Sequence, residues 1–330
     1  AGPGRPALGR DPAFGLTGRL RRRAAGPADT MARMSTDPGA SLSDRGLIPN
    51  GVPFMKGHGT GNDFVIVPDP DGRLALSPAQ VAALCDRRRG LGADGLLRVV
   101  RTAYVVDGPT EVPGVASASG TPPEWFMDYR NADGSLAEMC GNGARVFARY
   151  LVETGLAAGP QVSFLTRAGV VTATVGPSEV SVAMPPVVVG GPGVVRVAGL
   201  ELKGTAATCG NPNLVCLVST LDDLDLREPP VLDPDQFPAG ANVEFVVPVA
   251  PGHVRMRVVE RGVGETLSCG SGACAVAGVV LNGVSGTVTV NVPGGQLTVA
   301  IGEDGSCVLT GPAVFVAAGT VTLTDAAAGE

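Results

Sequence analysis

From about residue 54 onward the chain is written in short apolar runs separated by Gly, Pro, Asn and Asp, the pattern of strands joined by tight turns. Residues 54–67 read as strand, glycine-rich turn, strand, with the turn presenting Asn62 and with His58 as a hydrogen-bonded loop residue. Ser77 followed by Pro78 signals a helix N-terminus, and that helix is expected to run to Arg87. A loop over 89–95 leads to a strand at 96–100; a strand at 125–129 and a turn at 131–134 follow. Further strands are expected at 162–165, 170–175, 180–183 and 194–197, then at 214–218, 243–247 and 254–259. The last set falls at 287–292, 297–301, 307–309, 314–316 and 320–323. Two helical runs stand apart, 145–152 and 274–281. The second is apolar almost all round, so its surroundings must cover every face. A sheet curled around a central helix, once in each half, meets that demand. The expected fold class is α+β: two pseudo-symmetric domains, each a mixed, mostly antiparallel sheet around an apolar helix.

Both helical runs follow the same motif. Cys140-Gly141-Asn142-Gly143-Ala144 returns as Cys269-Gly270-Ser271-Gly272-Ala273, 129 positions later. Other matches keep the same order: Gly61-Asn62 with Gly210-Asn211, and Gly92-Ala93-Asp94 with Gly240-Ala241-Asn242. Asn131 lies nine residues before Cys140, as Glu260 lies nine before Cys269. Ordered matches of this kind point to duplication of a whole domain. The expected division is 53–184 for the first domain and 185–312 for the second, with unstructured segments at 1–52 and 325–330. Residues 107–123, rich in Gly, Pro and Ser, are expected to form a flexible connection.

Composition narrows the function. The net charge is −6, which gives no electrostatic case for nucleic acid, although residues 1–50 carry eight Arg against four Asp. No apolar run is long enough to span a bilayer. Seven cysteines, an odd number without framework spacing, argue for free thiols in a reducing compartment. His58 and His253 are the only histidines, so no metal site is expected. Cys85, Cys209, Cys216, Cys274 and Cys307 are expected to pack or to sit free.

A cysteine followed by small residues and then a helical run is a thiol at a helix N-terminus, where unpaired N–H groups and the helix dipole favour the thiolate. Two such thiols form a matched acid and base. Asn62, Asn131, Asn142, Asn211 and Asn242 offer amides to a carboxylate or an ammonium. Glu260 offers an anion and Arg261 a bidentate clamp. That set suits an amino-acid head group, whose α-proton one thiolate takes while the opposite thiol returns another. No cofactor is required; Lys56 and Lys203 are the only lysines.

At these residues the chain resembles the diaminopimelate epimerase family. The motifs are Gly61-Asn62-Asp63-Phe64, Asn131-Ala132-Asp133-Gly134, Cys140 to Arg145, Gly210-Asn211-Pro212, Glu260-Arg261-Gly262 and Cys269 to Ala273, spread over 54–324. The resemblance implies interconversion of LL- and meso-diaminopimelate in the cytoplasm by a homodimer, with a small-molecule substrate and no nucleic-acid or membrane partner. It places the acid/base pair on Cys140 and Cys269. It places substrate contacts on Asn62, Asp94, Asn131, Gly141, Asn142, Asn211, Asn242, Glu260, Arg261, Gly270 and Ser271. It also implies that 313–324 return to the first domain. The family usually carries Gln or a similar residue at position 94, and reads Gly-Asn-Pro-His where this chain has Asn213. Thiol tuning then falls to Glu260, Asn213 and the helix ends. Three alternatives stand beside this reading: a proline-racemase-like enzyme of the same fold, a thiol redox or metal protein using Cys269 and Cys274, and a catalytically weak binding protein.

Overall fold

The computed structural model describes residues 51–105, 122–222 and 224–323. The N-terminal segment up to residue 50, most of the connection 107–123 and the tail 325–330 lie outside the described residues.

The alternating runs build one strand order twice. In the first half, β1 (Gly51–Gly59) and β2 (Asn62–Pro68) form a hairpin, β2 runs parallel to β3 (Gly95–Arg101), and β3 is antiparallel to β4 (Trp125–Asn131). A parallel bridge joins β4 to β5 (Gln161–Thr166), and β6 (Gly169–Val175) and β7 (Glu179–Met184) follow antiparallel. In the second half, β9 (Leu200–Cys209) and β10 (Asn211–Leu217) form the hairpin, and β10 runs parallel to β12 (Asn242–Ala250). Then β12 is antiparallel to β13 (His253–Glu260), and β13 is parallel to β15 (Gly286–Val292). Strands β16 (Gly295–Ile301) and β17 (Cys307–Pro312) complete the series. Two short strands, β11 (Val231–Leu232) and β14 (Gly264–Thr266), are local additions.

The halves differ in who supplies the strand beside the first hairpin. Strand β8 (Val188–Val197) pairs with β9, whereas β1 is paired by β18 (Val314–Thr322), the last strand of the described chain. The β7–β17 pairing joins the two halves into a continuous sheet.

Helix α1 (Pro78–Cys85) carries the expected Ser77 cap, in a reciprocal capping box with Gln80. It stops two residues short of the expectation, because Asp86 turns extended and accepts from the Arg88 and Arg89 N–H groups instead. Helix α2 (Gly141–Glu153) is buried from Gly141 through Leu151 and is enclosed by strands of the first half together with β17. Helix α3 (Gly270–Val280) is buried from Gly270 through Gly278 and touches β8, β9, β10, β12, β15, β16 and β17. Its fully buried Val276 contributes roughly 1.5–3 kcal/mol relative to an exposed valine. The close approach depends on small residues: a Cβ on Gly278 would lie 2.5 Å from Val187 Cγ1. The central-helix expectation holds in both halves.

The differences lie in the strands. The expected strand at 194–197 is the end of the longer β8, and β9 was not expected at all. This hairpin is exposed along much of its length and contains Gly and Pro, so it lacks the buried alternation that marks a strand. The expected pair at 314–316 and 320–323 is the single strand β18. Strand β1 already includes Gly51 and Val52.

Candidate active site

Cys140 is the N-cap of α2 and Cys269 the N-cap of α3, each with extended backbone leading into the helix. Glycine at the first helical position lets the two helix ends meet. A Cβ on Gly270 would lie 3.4 Å from Gly141 Cα and 3.0 Å from Leu309 Cδ2. Asn142 bridges the halves by donating through Nδ2 to the Ser268 carbonyl at 3.0 Å. Beside it, the Thr60 and Ser268 hydroxyls lie 2.7 Å apart, both buried.

On the first side, the Cys140 thiol donates to Asn62 Oδ1 at 3.5 Å, and Asn142 Nδ2 lies 3.3 Å from that same oxygen. Asn62 Nδ2 in turn donates to Asp94 Oδ2 at 2.9 Å. Asp94 is also held by Arg87, which spans Asp63 and Asp94. The turn before Asn62 has positive φ at both Thr60 and Gly61, which sets the hairpin so that β2 begins with Asn62 beside Cys140. His58, at the end of β1, accepts from the Gly61 N–H through Nδ1. Asn131 ends β4 opposite Gly95, next to Asp94, and its amide is taken up by Ser135 Oγ.

On the second side, Cys269 Sγ accepts from the Gly272 N–H at 3.4 Å and lies 3.5 Å from Ser271 Oγ. Asn242 Nδ2 is 3.9 Å from Cys269 Sγ and 3.0 Å from Asn213 Oδ1, while its Oδ1 accepts from the Arg261 N–H. Asn213 is fully buried and donates to the Asn211 carbonyl at 2.7 Å, so it is an element of the network that reaches Cys269. Asn211 keeps its side chain exposed. Arg261 is exposed as well, with Nη1 on the Ala239 carbonyl. Glu260 accepts from Thr266 Oγ1. Burial raises its carboxyl above the ordinary range, against hydrogen bonds from Thr266 and Cys269.

Both thiols are harder to ionise than a free cysteine. Burial pushes Cys140 up to about 11, with Glu260 adding to the effect; the N–H groups of Gly143 and Asn142, and the Arg145 cation, act in the other direction. Cys269 stands well above the ordinary thiol range because of burial and the nearby carboxyls of Glu260 and Glu244, opposed by Ser271 and the Gly272 N–H.

Two charged residues assigned no role in the sequence reading add to the surroundings of the thiols. Arg145, on the second turn of α2, is completely buried. It donates through Nη2 to Asn142 Oδ1 at 2.8 Å and to Thr60 Oγ1 at 3.1 Å. Burial lowers its guanidinium to about 10, which leaves it a cation at neutral pH. Glu244, on β12, is also completely buried, and neither of its carboxyl oxygens has a partner among the described residues. A Cβ on Gly272 would lie 2.5 Å from Glu244 Oε1, so the carboxyl rests on the backbone of the first turn of α3. Burial, and then Glu260, raises it well above the ordinary range. In the duplicated motif, the position of Arg145 is held by Cys274, and the position of Glu244 by Leu96. A symmetric backbone thus carries an asymmetric field: a cation behind one thiol, an acid behind the other. The arrangement can hold one thiol ready to accept a proton and the other ready to give one.

The family model for diaminopimelate epimerase matches residues 54–189 and 205–316. The chain is 53% identical over 273 residues to the diaminopimelate epimerase of Thermobifida fusca, covering 82% of this chain and 98% of that protein. It is 50% identical over 281 residues to the diaminopimelate epimerase of Streptomyces coelicolor, covering 81% of this chain and 94% of that one. Among solved structures, a Bacillus anthracis phenazine biosynthesis protein of the PhzF family aligns with a TM-score of 0.59 at 17% identity, covering 83% of this chain and 99% of the other. A hydroxyproline epimerase from Agrobacterium vitis aligns with a TM-score of 0.57 at 15% identity, covering 83% and 91%. These two likenesses are ones of fold.

Proposed function

Since the chain belongs to the diaminopimelate epimerase family, an assignment that fixes its activity as interconversion of LL- and meso-2,6-diaminopimelate, we propose that Cys140 and Cys269 are its acid and base. The observation that carries the proposal is the abutment of two helix N-termini at Gly141 and Gly270, each capped by a cysteine.

The asymmetric field gives the thiols their resting roles. Cys140, eased by Arg145, is the base. Cys269, held protonated by burial and by Glu260, is the acid. Once Cys140 has lost its proton to solvent, its thiolate takes the α-proton from one face of the substrate. The electron pair left on the α-carbon spreads into the carboxylate, where the two helix ends, with their unpaired N–H groups, stabilise the charge. The Cys269 thiol then gives its proton to the opposite face. The product leaves with one centre inverted and the two sulfurs with exchanged protonation states. No other group gains or loses a proton. Asn62, Asn142, Asn211, Asn242, Glu260, Arg261, Gly270 and Ser271 form the wall that receives the head group, with Asp94 and Asn131 at its edge. The division into a first domain at 53–184 with 313–324, and a second at 185–312, belongs to this reading and is supported by the twofold strand order. A homodimer working in the cytoplasm belongs to it too, on the strength of the family resemblance.

The test is incubation of LL-diaminopimelate with the pure protein in heavy water, with no added cofactor. Epimerisation accompanied by deuterium at the α-carbon is expected. Cys140→Ala and Cys269→Ala should each abolish it, and the serine variants should leave a small residue, because a hydroxyl has the shape of a thiol but is a far weaker acid. Retention of full activity in either alanine variant would sink the two-thiol mechanism.

A further inference from the structure

Three cysteines outside the acid/base pair come together in the core. Cys209 ends β9, Cys274 lies on α3 five residues after Cys269, and Cys307 begins β17. They are 65 and 33 residues apart along the chain, yet their sulfurs all lie within 4.8 Å of one another, and all three residues are buried. We propose that Cys209, Cys274 and Cys307 form a three-sulfur site for a soft monovalent cation of the copper(I) type.

The geometry comes first. The centre of a triangle with sides of 4.8 Å lies about 2.8 Å from each corner, against roughly 2.3 Å for a metal–thiolate bond. Each sulfur therefore moves inward by about half an ångström or less, within the reach of a χ1 adjustment. Ligand type comes second. Thiolates select soft ions. The Pro185 carbonyl accepts from the Cys209 thiol at 3.3 Å. Among the described residues no His, Asp, Glu or further Cys joins the three. Structural zinc is almost always four-coordinate, whereas copper(I) is content with three sulfurs. Charge comes third. A monovalent ion held by one thiolate and two intact thiols carries no net charge, which suits an apolar core. One thiol proton leaves to solvent in the process.

A cleft lies near the cluster. It measures about 310 Å³ and is lined by Val187, Gly278 and Ile301. Gly278 lies one helical turn beyond Cys274, and Ile301 is the register partner of Cys307 on the neighbouring strand.

The experiment is anaerobic titration of the full chain with copper(I) buffered by bathocuproine disulfonate. One equivalent per chain should bind, with a sulfur-to-copper absorption band in the ultraviolet and three sulfur neighbours by X-ray absorption. Binding should persist in the Cys140→Ala/Cys269→Ala double variant. It should weaken in Cys209→Ala, Cys274→Ala and Cys307→Ala by more than the 10–100-fold that loss of a supporting partner costs. Affinity should rise with pH, since a proton is displaced. Circular dichroism identifies which variants fold, and any one folded variant suffices. Binding that disappears with Cys140 and Cys269, or survives loss of a triad cysteine, overturns the site. A nitrogen or oxygen neighbour on the metal, or equal preference for zinc, overturns the assignment of the ion.

Discussion

Replacing Glu244 by Gln isolates a single proton. In the folded protein the Glu244 carboxyl is buried, has no hydrogen-bond partner among the described residues, and stays protonated above its ordinary value of 4.5. In the unfolded chain it ionises near that value. Above it the folded state therefore holds one proton more than the unfolded state. Stability then falls with rising pH, by about 1.4 kcal/mol per unit for one proton. The loss begins near pH 4.5 and continues until the folded carboxyl itself ionises. Glutamine keeps the shape and has no proton to hold, so its own cost is a constant offset. Urea unfolding of both proteins at pH 5, 6 and 7 measures the difference. Wild type should lose stability against the variant as pH rises from 5, at a rate approaching about 1.4 kcal/mol per unit while the folded carboxyl keeps its proton. Parallel stability curves would refute the reasoning, since they would require Glu244 to ionise alike in both states.

Arg145→Met should shift the acidic limb of the kcat/KM–pH profile to higher pH by removing the cation that eases Cys140, and Arg145→Lys should restore part of the shift. The methionine variant also leaves Asn142 Oδ1 and Thr60 Oγ1 without their donor, at a cost of about 1–3 kcal/mol in chemical unfolding. Asn213→His places an imidazole in the network that reaches Cys269 through Asn242, and should add an inflection near neutrality to the kcat/KM–pH profile. An unchanged profile would show that position 213 does not communicate with the thiol. Mild oxidant should inactivate the enzyme reversibly, with protection by substrate, and peptide mapping should find Cys140 joined to Cys269. A Cys269–Cys274 bridge in the inactive form would contradict the facing arrangement.

The parts of this protein that were readable in its sequence are those written as local pattern. Two Cys-Gly-x-Gly-Ala boxes ahead of apolar runs specify two capped helices, and the all-round apolarity of α3 requires an enclosing sheet. The β8–β9 hairpin was not readable because its length comes from backbone pairing between exposed Gly- and Pro-containing segments. Arg145 and Glu244 escaped for a different reason: a charge in an amphipathic run defaults to the solvent face. Glu244 did leave a trace, as the one acid inside the apolar run 243–247, where neighbouring residues on both faces are buried. The sulfur triad left none, since only the pairing of β16 with β17 and the path of α3 bring positions 209, 274 and 307 together.

The pairing of β18 with β1 governs the order in which the molecule can be made. The second half is contiguous from β8 to β17 and has all its strands before the chain is finished. The first half emerges earlier from the ribosome but waits with β1 unpaired along one edge until some 260 further residues have been synthesised. An open edge is a template for pairing with another chain, so this interval is the one in which nascent molecules are exposed to mutual aggregation. Part of that edge is shielded by its own composition, with Lys56 and His58 on β1 and a register shift at Lys56/Gly57. A circular permutant that begins with residues 313–323, linked to Gly51, would close the early half as it is translated. It would shorten the interval in which that edge stands open while keeping the strand pairing of the finished protein.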